Sequence, residues 1–392
     1  MTKAYEVDRT PVVVRYSETA QFTETYGFVG STGMVMVEGQ LMVPRGRPSR
    51  TLLVFMHPSS TLNLLPLPNA LPAAGIHVMC CGSRYAKNDS ALIMEKVALD
   101  LGAYVRYAKE TLGYEKVVLA GWSGGGSLSM FYQAEAEHPT ITATPAGDPV
   151  DLTQAKLIPA DGTMFLAAHL SRAKTLTEWI DPSVINELDP DTRDPSLDLY
   201  DPANPNQPPY SEAYLKRYRA AQIARNRKIT GWVRETIEKL KRANTGELER
   251  GFVVHRTMAD PRWLDPAVDP NDRKPRWCFL GNPRTVNVGP VGLARFCTLR
   301  SWLSQWSFDE SRADGPRNAA RISVPVAVIE NSADDAAPSS HAREIFAATA
   351  SKDKEMHVVK GATHYYQNQP KELAEAVVLV TDWLRRKKLL AD

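Results

Sequence analysis

The stretch "VVLAGWSGGGSLSMFYQ", Val117 to Gln133, changes character halfway along. An apolar run stops at Gly121, a lone serine follows among glycines, and a helical pattern then begins. Strand, G-x-S-x-G and helix in that order form the nucleophile-elbow pattern. The turn is tight enough that Gly121 and Gly125 have little room for side chains. Ser123 is then held proud of the sheet with its hydroxyl exposed. The helix behind it aims backbone N–H groups and a positive dipole end at the same spot. The plainer reading is a glycine-rich turn with an incidental serine, and the strand before and helix after the motif weigh against it.

Outward from this corner, strands and helices alternate. "GMVMVEGQLMVP" (Gly33–Pro44), "TLLVFMH" (Thr51–His57), "GIHVMCC" (Gly75–Cys81) and "KVVLAG" (Lys116–Gly121) read as strands. The last three are nearly unbroken apolar runs, as burial on both faces requires. Between the last two, Met94, Val97, Leu101, Val105 and Ala108 share one helical stripe, with Asp89 or Ser90 as its cap. "TMFLAAH" (Thr163–His169), "VPVAVIEN" (Val324–Asn331) and "EMHVVKG" (Glu355–Gly361) are further strands. One helix is expected from about Ser339 and a last one from Pro370, with Leu373, Val377, Val380 and Leu384 facing inward. The alternation predicts a parallel sheet covered by helices.

From His169 to about Arg317 this rhythm disappears. Residues 181–210 hold seven prolines, which exclude a regular helix or central strand there. A long polar helix is expected from Ser211 to Ala243, then a loop-rich stretch and a helix over "VGLARFCTLRSWLSQWSF". Six of the eight tryptophans fall in this middle segment (Trp179, Trp232, Trp263, Trp277, Trp302 and Trp306), too many for a solvated surface. Leu299, Trp302, Leu303 and Trp306 form one stripe, which reads as core more readily than as pocket. The basic run "LKRYRAAQIARNRK" reads as a solvated helix face.

Composition narrows the classes. The chain has 392 residues, 43% of them hydrophobic and 23% charged, with a net charge of +2. That balance is ordinary for a globular protein and gives no electrostatic case for nucleic acid. Cys80, Cys81, Cys278 and Cys297 have neither metal-ligand nor redox spacing, so reduced thiols and a cytoplasmic location are expected. The first residues, "MTKAYEVDRT", lack the apolar core of a signal peptide, and no apolar run reaches membrane-spanning length. Gly124–Gly126 is no phosphate loop, because no Lys-Ser/Thr follows it.

The corner and the strand order resemble the α/β-hydrolase superfamily over residues 30–170 and 318–392. The resemblance implies an α/β-hydrolase fold, a mostly parallel central sheet flanked by helices, with a mainly helical cap inserted after strand 6. The implied divisions are core residues 1–170, a cap (lid) at 171–317 and core residues 318–392. It also implies a chain order of serine, acid, histidine. Of the eight histidines, His364 in "VVKGATHYY" stands just beyond the last strand, where that family keeps its base. The acid lies in "IENSADDAAP". The family's spacing to the following proline selects Asp334 over Asp335, which is then solvated or helix-capping. Asn331 stands where glycine is common. For the oxyanion the resemblance implies the N–H groups of Ser59 and Gly124, with Pro58 in "FMHPSS" replacing a usual glycine. The Ser59 or Ser60 hydroxyl is a further donor.

The implied activity is serine hydrolysis of an ester, lactone or similar activated carbonyl, with Ser123 as nucleophile and no metal or organic cofactor. Carbon–carbon bond hydrolysis and ligand sensing are the rival readings. Dehalogenation is disfavoured, because it needs an aspartate at the corner. Trp122, His57, Trp302 and Trp306 are candidate substrate contacts. Arg256, Arg295 or Arg300 is a candidate anion contact, with surface salt bridges as the plainer reading. The expected partner is a small, bulky, mostly apolar or aromatic molecule, with neither nucleic acid nor membrane. A homodimer is compatible with the sequence.

Overall fold

The computed structural model describes residues 4–18 and 33–390. Parts of the expected core, residues 1–3, 19–32 and 391–392, lie outside the described residues. The apolar runs become strands β1 (Val7–Ser17), β2 (Met34–Pro44), β3 (Thr51–Met56), β4 (Val78–Cys81), β5 (Lys116–Trp122), β6 (Gly162–Leu166), β7 (Val326–Asn331) and β8 (Lys354–Val359). They form one sheet in the order β1-β2-β4-β3-β5-β6-β7-β8. β2 runs antiparallel to both β1 and β4, and all other neighbours are parallel.

Alternation along each strand divides the core into two layers. Val117 and Leu119 of β5 pack on one face with helices α2 (Met94–Arg106) and α3 (Gly124–Glu137). Val118, Ala120 and Trp122 pack on the other with α1 (Pro66–Ala73) and the last helix, Pro370–Arg386, whose Val380, Trp383 and Leu384 are buried. The sequence reading missed β1. It is an edge strand with only Val12 and Val14 buried, and Pro11 sits in it, as only an edge tolerates.

Between β6 and β7 the chain leaves the sheet. It forms α4 (Arg172–Trp179), a short hairpin (Val184–Asn186 with Asp189–Arg193) and α5 (Glu212–Ala243). Ser211 caps α5 by accepting the Tyr214 N–H at 3.2 Å. This segment departs from expectation in two places. Only Leu299–Trp306 of the expected helix over 291–308 is helical, because Phe296–Thr298 pairs as a strand with Gly251–Val253 and Thr298 caps the turn behind it. The basic face of α5 is not simply solvated. Arg225 is buried on Glu187 and three backbone carbonyls, and Arg219 pairs with Asp260.

The insertion is tied to the core at α2. Neither Asp89 nor Ser90 caps that helix; Ser304 of the insertion accepts the Met94 N–H at 2.7 Å. Asp89 instead pairs with Arg172. The sheet geometry also puts His57, Ser123, the 167–169 segment, Asp334 and His364 beyond the carboxyl ends of β3, β5, β6, β7 and β8, where open α/β sheets bind ligands. No helix among the described residues is long and apolar enough to cross a membrane.

Candidate active site

Ser123 has φ +56° and ψ −125°, a conformation that costs a non-glycine residue of order 1–3 kcal/mol and survives only when its surroundings enforce it. They do. The Ser123 N–H donates to Leu166 O at 3.1 Å, and its carbonyl accepts from Gly126 N at 3.0 Å and His169 N at 3.2 Å. The corner has no room for further atoms: a Cβ on Gly121 would lie 2.6 Å from Gly125 O, and one on Gly125 only 2.3 Å from Met56 O. Both obstacles are backbone. Gly125→Ala is therefore expected to destabilise the fold by about 1–3 kcal/mol or more. Gly231→Ala, on an open face of α5, is expected to gain up to about 1 kcal/mol. Thermal denaturation of the two variants checks both signs.

The corner faces two loops from the other half of the core. His364 Nε2 lies 3.1 Å from Ser123 Oγ, and its Nδ1 lies 2.7 Å from Asp334 Oδ2. Asp334 Oδ1 accepts the N–H groups of Ala336 and Ala337 at 2.7 and 2.8 Å, which fixes the direction of the carboxylate. A carboxylate so held accepts a hydrogen bond from Nδ1–H, which keeps the proton on Nδ1 and leaves the Nε2 lone pair for the serine hydroxyl. All three groups are buried, with Ser123 the most open at 6%.

Asn331 accounts for the departure at the expected glycine. It accepts the Tyr366 hydroxyl at 2.7 Å and donates to Thr363 O at 2.9 Å, joining the turn after β7 to the loop that carries His364. Asp335 is neither solvated nor a cap: it is half-buried, and burial and then the charge of Asp334 push its carboxyl up to about 6.

Trp122 stands behind the histidine. Its ring centroid is 4.5 Å from that of His364, and its indole N–H donates to His364 O at 3.3 Å. With that N–H occupied, Trp122 supports the imidazole from behind. The expected oxyanion donors also need correction. Gly124 opens α3, so its N–H has no acceptor within the helix. The Ser59 N–H is already used: it and the Ser60 N–H donate to His57 Nδ1 at 3.2 and 3.1 Å. These two donors fix the tautomer, so the His57 proton sits on Nε2. That nitrogen lies 2.7 Å from where a Gly124 Cβ would be, at the start of the same helix. Burial first, then Arg172 and His364, hold the His57 imidazole well below its usual pKa and keep it neutral.

Trp302 and Trp306 lie elsewhere. Both are fully buried in the insertion's own core with Leu176, Ile229 and Val233, and neither has surface left for a substrate. Trp302 donates to Thr230 Oγ1 at 2.9 Å, and Trp306 carries the Arg172 guanidinium over its ring at 4.3 Å. The three candidate arginines are also occupied. Arg256 binds Asp181 and Asp198, Arg300 binds Asp148, and Arg295 donates to the carbonyls of Val286, Asn287 and Val291.

The sequence reading missed other residues near Ser123 and His364: His169, Arg172, Trp179 and Phe279. Arg172 Nη1 reaches Ser59 Oγ at 3.4 Å, and the rings of His169 and Phe279 lie 6.2 and 6.3 Å from that of His364. One signal was available for His169: it follows a buried strand at the carboxyl edge of the sheet.

No protein-family model matches the chain, and no curated protein matches it in sequence. Solved structures do resemble it. The α/β hydrolase GrgF from Penicillium sp. sh18 matches with a TM-score of 0.52 over 97% of this chain and 99% of that one, at 12% identity. DcsB, solved in complex with its substrate analogue, matches at 0.51 over 96% of this chain and 100% of that one, at 13% identity. At such identities the likeness is one of fold. Sheet order, the insertion after the sixth strand and these matches agree: the chain is an α/β-hydrolase-fold protein.

Proposed function

We propose that this protein is a serine hydrolase that cleaves a carboxylic ester, lactone or similar activated carbonyl through an acyl-enzyme on Ser123. The observation that carries the reading is the unbroken hydrogen-bond path from Ser123 Oγ through His364 to Asp334. Ser123 Oγ attacks the carbonyl carbon while His364 Nε2 takes its proton. The Gly124 N–H and the His57 Nε2–H hold the resulting oxyanion. As the carbon–oxygen bond breaks, His364 returns the proton to the departing alkoxide. Water, deprotonated by the same imidazole, then attacks the acyl carbon. The bond to Ser123 Oγ breaks, His364 returns the proton to Oγ, and the acid is released.

The insertion sets Trp179 beside His169 and Phe279 beside His364, which favours a bulky, mostly apolar or aromatic substrate. The four buried free cysteines suit a reducing compartment. Rapid mixing with an activated aryl ester is expected to show a burst of about one equivalent of phenol, the mark of an accumulating acyl-enzyme. Tight retention of the intact ester without a burst is the sensor's behaviour and contradicts the proposal.

His57 has its own test. Removing one oxyanion donor typically costs about 10²–10³ in kcat. His57→Phe, which keeps a flat ring, is expected to lose that much in kcat with little change in KM. An unchanged kcat excludes His57 from the oxyanion site.

A further inference from the structure

Four rings close a circuit beside Ser123. His364, His169, Trp179 and Phe279 lie in succession with centroids 6.2, 5.9, 5.5 and, back to His364, 6.3 Å apart. Two belong to the core and two to the insertion. These spacings fall within the range of tilted and edge-on aromatic contacts, the kind of contact a flat substrate ring makes. His364 also carries the hydrogen bond to Ser123 Oγ, so the circuit borders the reacting atoms.

His169 is the polar member without an evident task. It is 7% exposed, and its Nδ1 is buried with no hydrogen-bond partner among the described residues. Native folds rarely leave such an atom unmet, and beside a reactive serine a ligand group is one partner that would meet it. The ring is neutral: burial first, then His341, His364, His57 and Arg172, hold its pKa well below the usual histidine value. The charges around it are already matched. Arg172 is bound by Asp89 and Gln305, and Glu178 by Arg262 and His341. A charged ligand group here would lie uncompensated, which is costly in a buried site. A hydroxyl suits either tautomer, since it both donates and accepts.

We propose that this circuit is a substrate subsite for a flat aromatic ring bearing a hydroxyl, with His169 as the hydroxyl's hydrogen-bond partner. The proposal deepens the hydrolase reading, and rests on it in assigning the ring to an ester substrate. The binding itself is separately testable.

The probes are methyl phenylacetate and its 2-, 3- and 4-hydroxy derivatives, titrated calorimetrically into Ser123→Ala so that nothing turns over. One hydroxylated isomer is expected to bind about 10-fold or more tighter than the parent ester. Adding His169→Phe, which keeps the ring but removes its nitrogens, is expected to bring that isomer and the parent within about twofold. The parent's own affinity is expected to hold. His169→Gln, which restores a polar end, is expected to recover part of the preference, and it serves alone if the Phe variant does not fold. No preference among the four esters, or a preference that survives His169→Phe or is absent in both variants' parent protein, overturns the subsite. Turnover of the same four esters by the wild type separates the two readings. A His169-dependent binding preference with no cleavage leaves the subsite and removes the hydrolase. Ser123-dependent cleavage with no His169-dependent preference does the reverse.

Discussion

Ser123→Ala and His364→Ala are each expected to lower kcat on a cleavable ester by about 10⁶, and the double variant by scarcely more. The reason is geometric. The hydroxyl is a poor nucleophile until its proton has somewhere to go, and His364 Nε2, 3.1 Å away, is the acceptor in place. Losing either partner removes the same step, so the costs do not add. The residual rate reflects oxyanion donors and substrate binding alone. Steady-state kinetics on the three variants, with thermal melting to establish that each is folded, checks this. Losses that multiply in the double variant contradict a shared step.

The second large effect separates two adjacent carboxyls. Asp334→Asn is expected to cost about 10⁴ in kcat, because an amide offers a donor where Nδ1–H needs an acceptor and turns the imidazole to the wrong tautomer. Asp335→Asn is expected to stay within a few fold of the wild type. Its effect is on stability. The folded state raises the Asp335 carboxyl to about 6, so folding favours the protonated form. That contribution is fully present below the unfolded pKa of about 3.9 and is lost as pH rises through about 6. Asp335→Asn removes the loss. The variant is therefore expected to be more stable than the wild type at pH 8, by about 1–3 kcal/mol, and to converge with it below about pH 4. Melting curves across this range check the sign. A crippled Asp335→Asn with a mild Asp334→Asn reverses the assignment of the acid.

Ser123 was legible from a local pattern: an apolar strand, a glycine-flanked turn and a helix. Asp334 and His364 were instead singled out by what the α/β-hydrolase resemblance implies for the loops after the last two strands. The loop after β3 was legible only in part. "HPSS" identifies the place, but the folding of Ser59 and Ser60 N–H onto His57 Nδ1 follows from three-dimensional closure. The insertion resisted reading for a related reason. Its order comes from arginine–carboxylate pairs distant in sequence, such as Arg256 with Asp181 and Arg225 with Glu187, and these leave no periodicity. The stripe from Leu299 to Trp306 was correctly apolar, yet one strand pairing at Phe296–Thr298 cut its helix short. His169 was hidden inside what looked like the end of a buried strand, and its neighbours Trp179 and Phe279 come from segments with no strand or long-helix signal.

The central claim is that Ser123 is an activated nucleophile. Intact-protein mass spectrometry after treatment with a fluorophosphonate, followed by peptide mapping, tests it most directly. One phosphonyl group per chain is expected, carried by Ser123, and none on Ser123→Ala or on the His364→Ala variant over the same interval. No adduct on the folded wild type, or an adduct that persists when Ser123 is replaced, contradicts it.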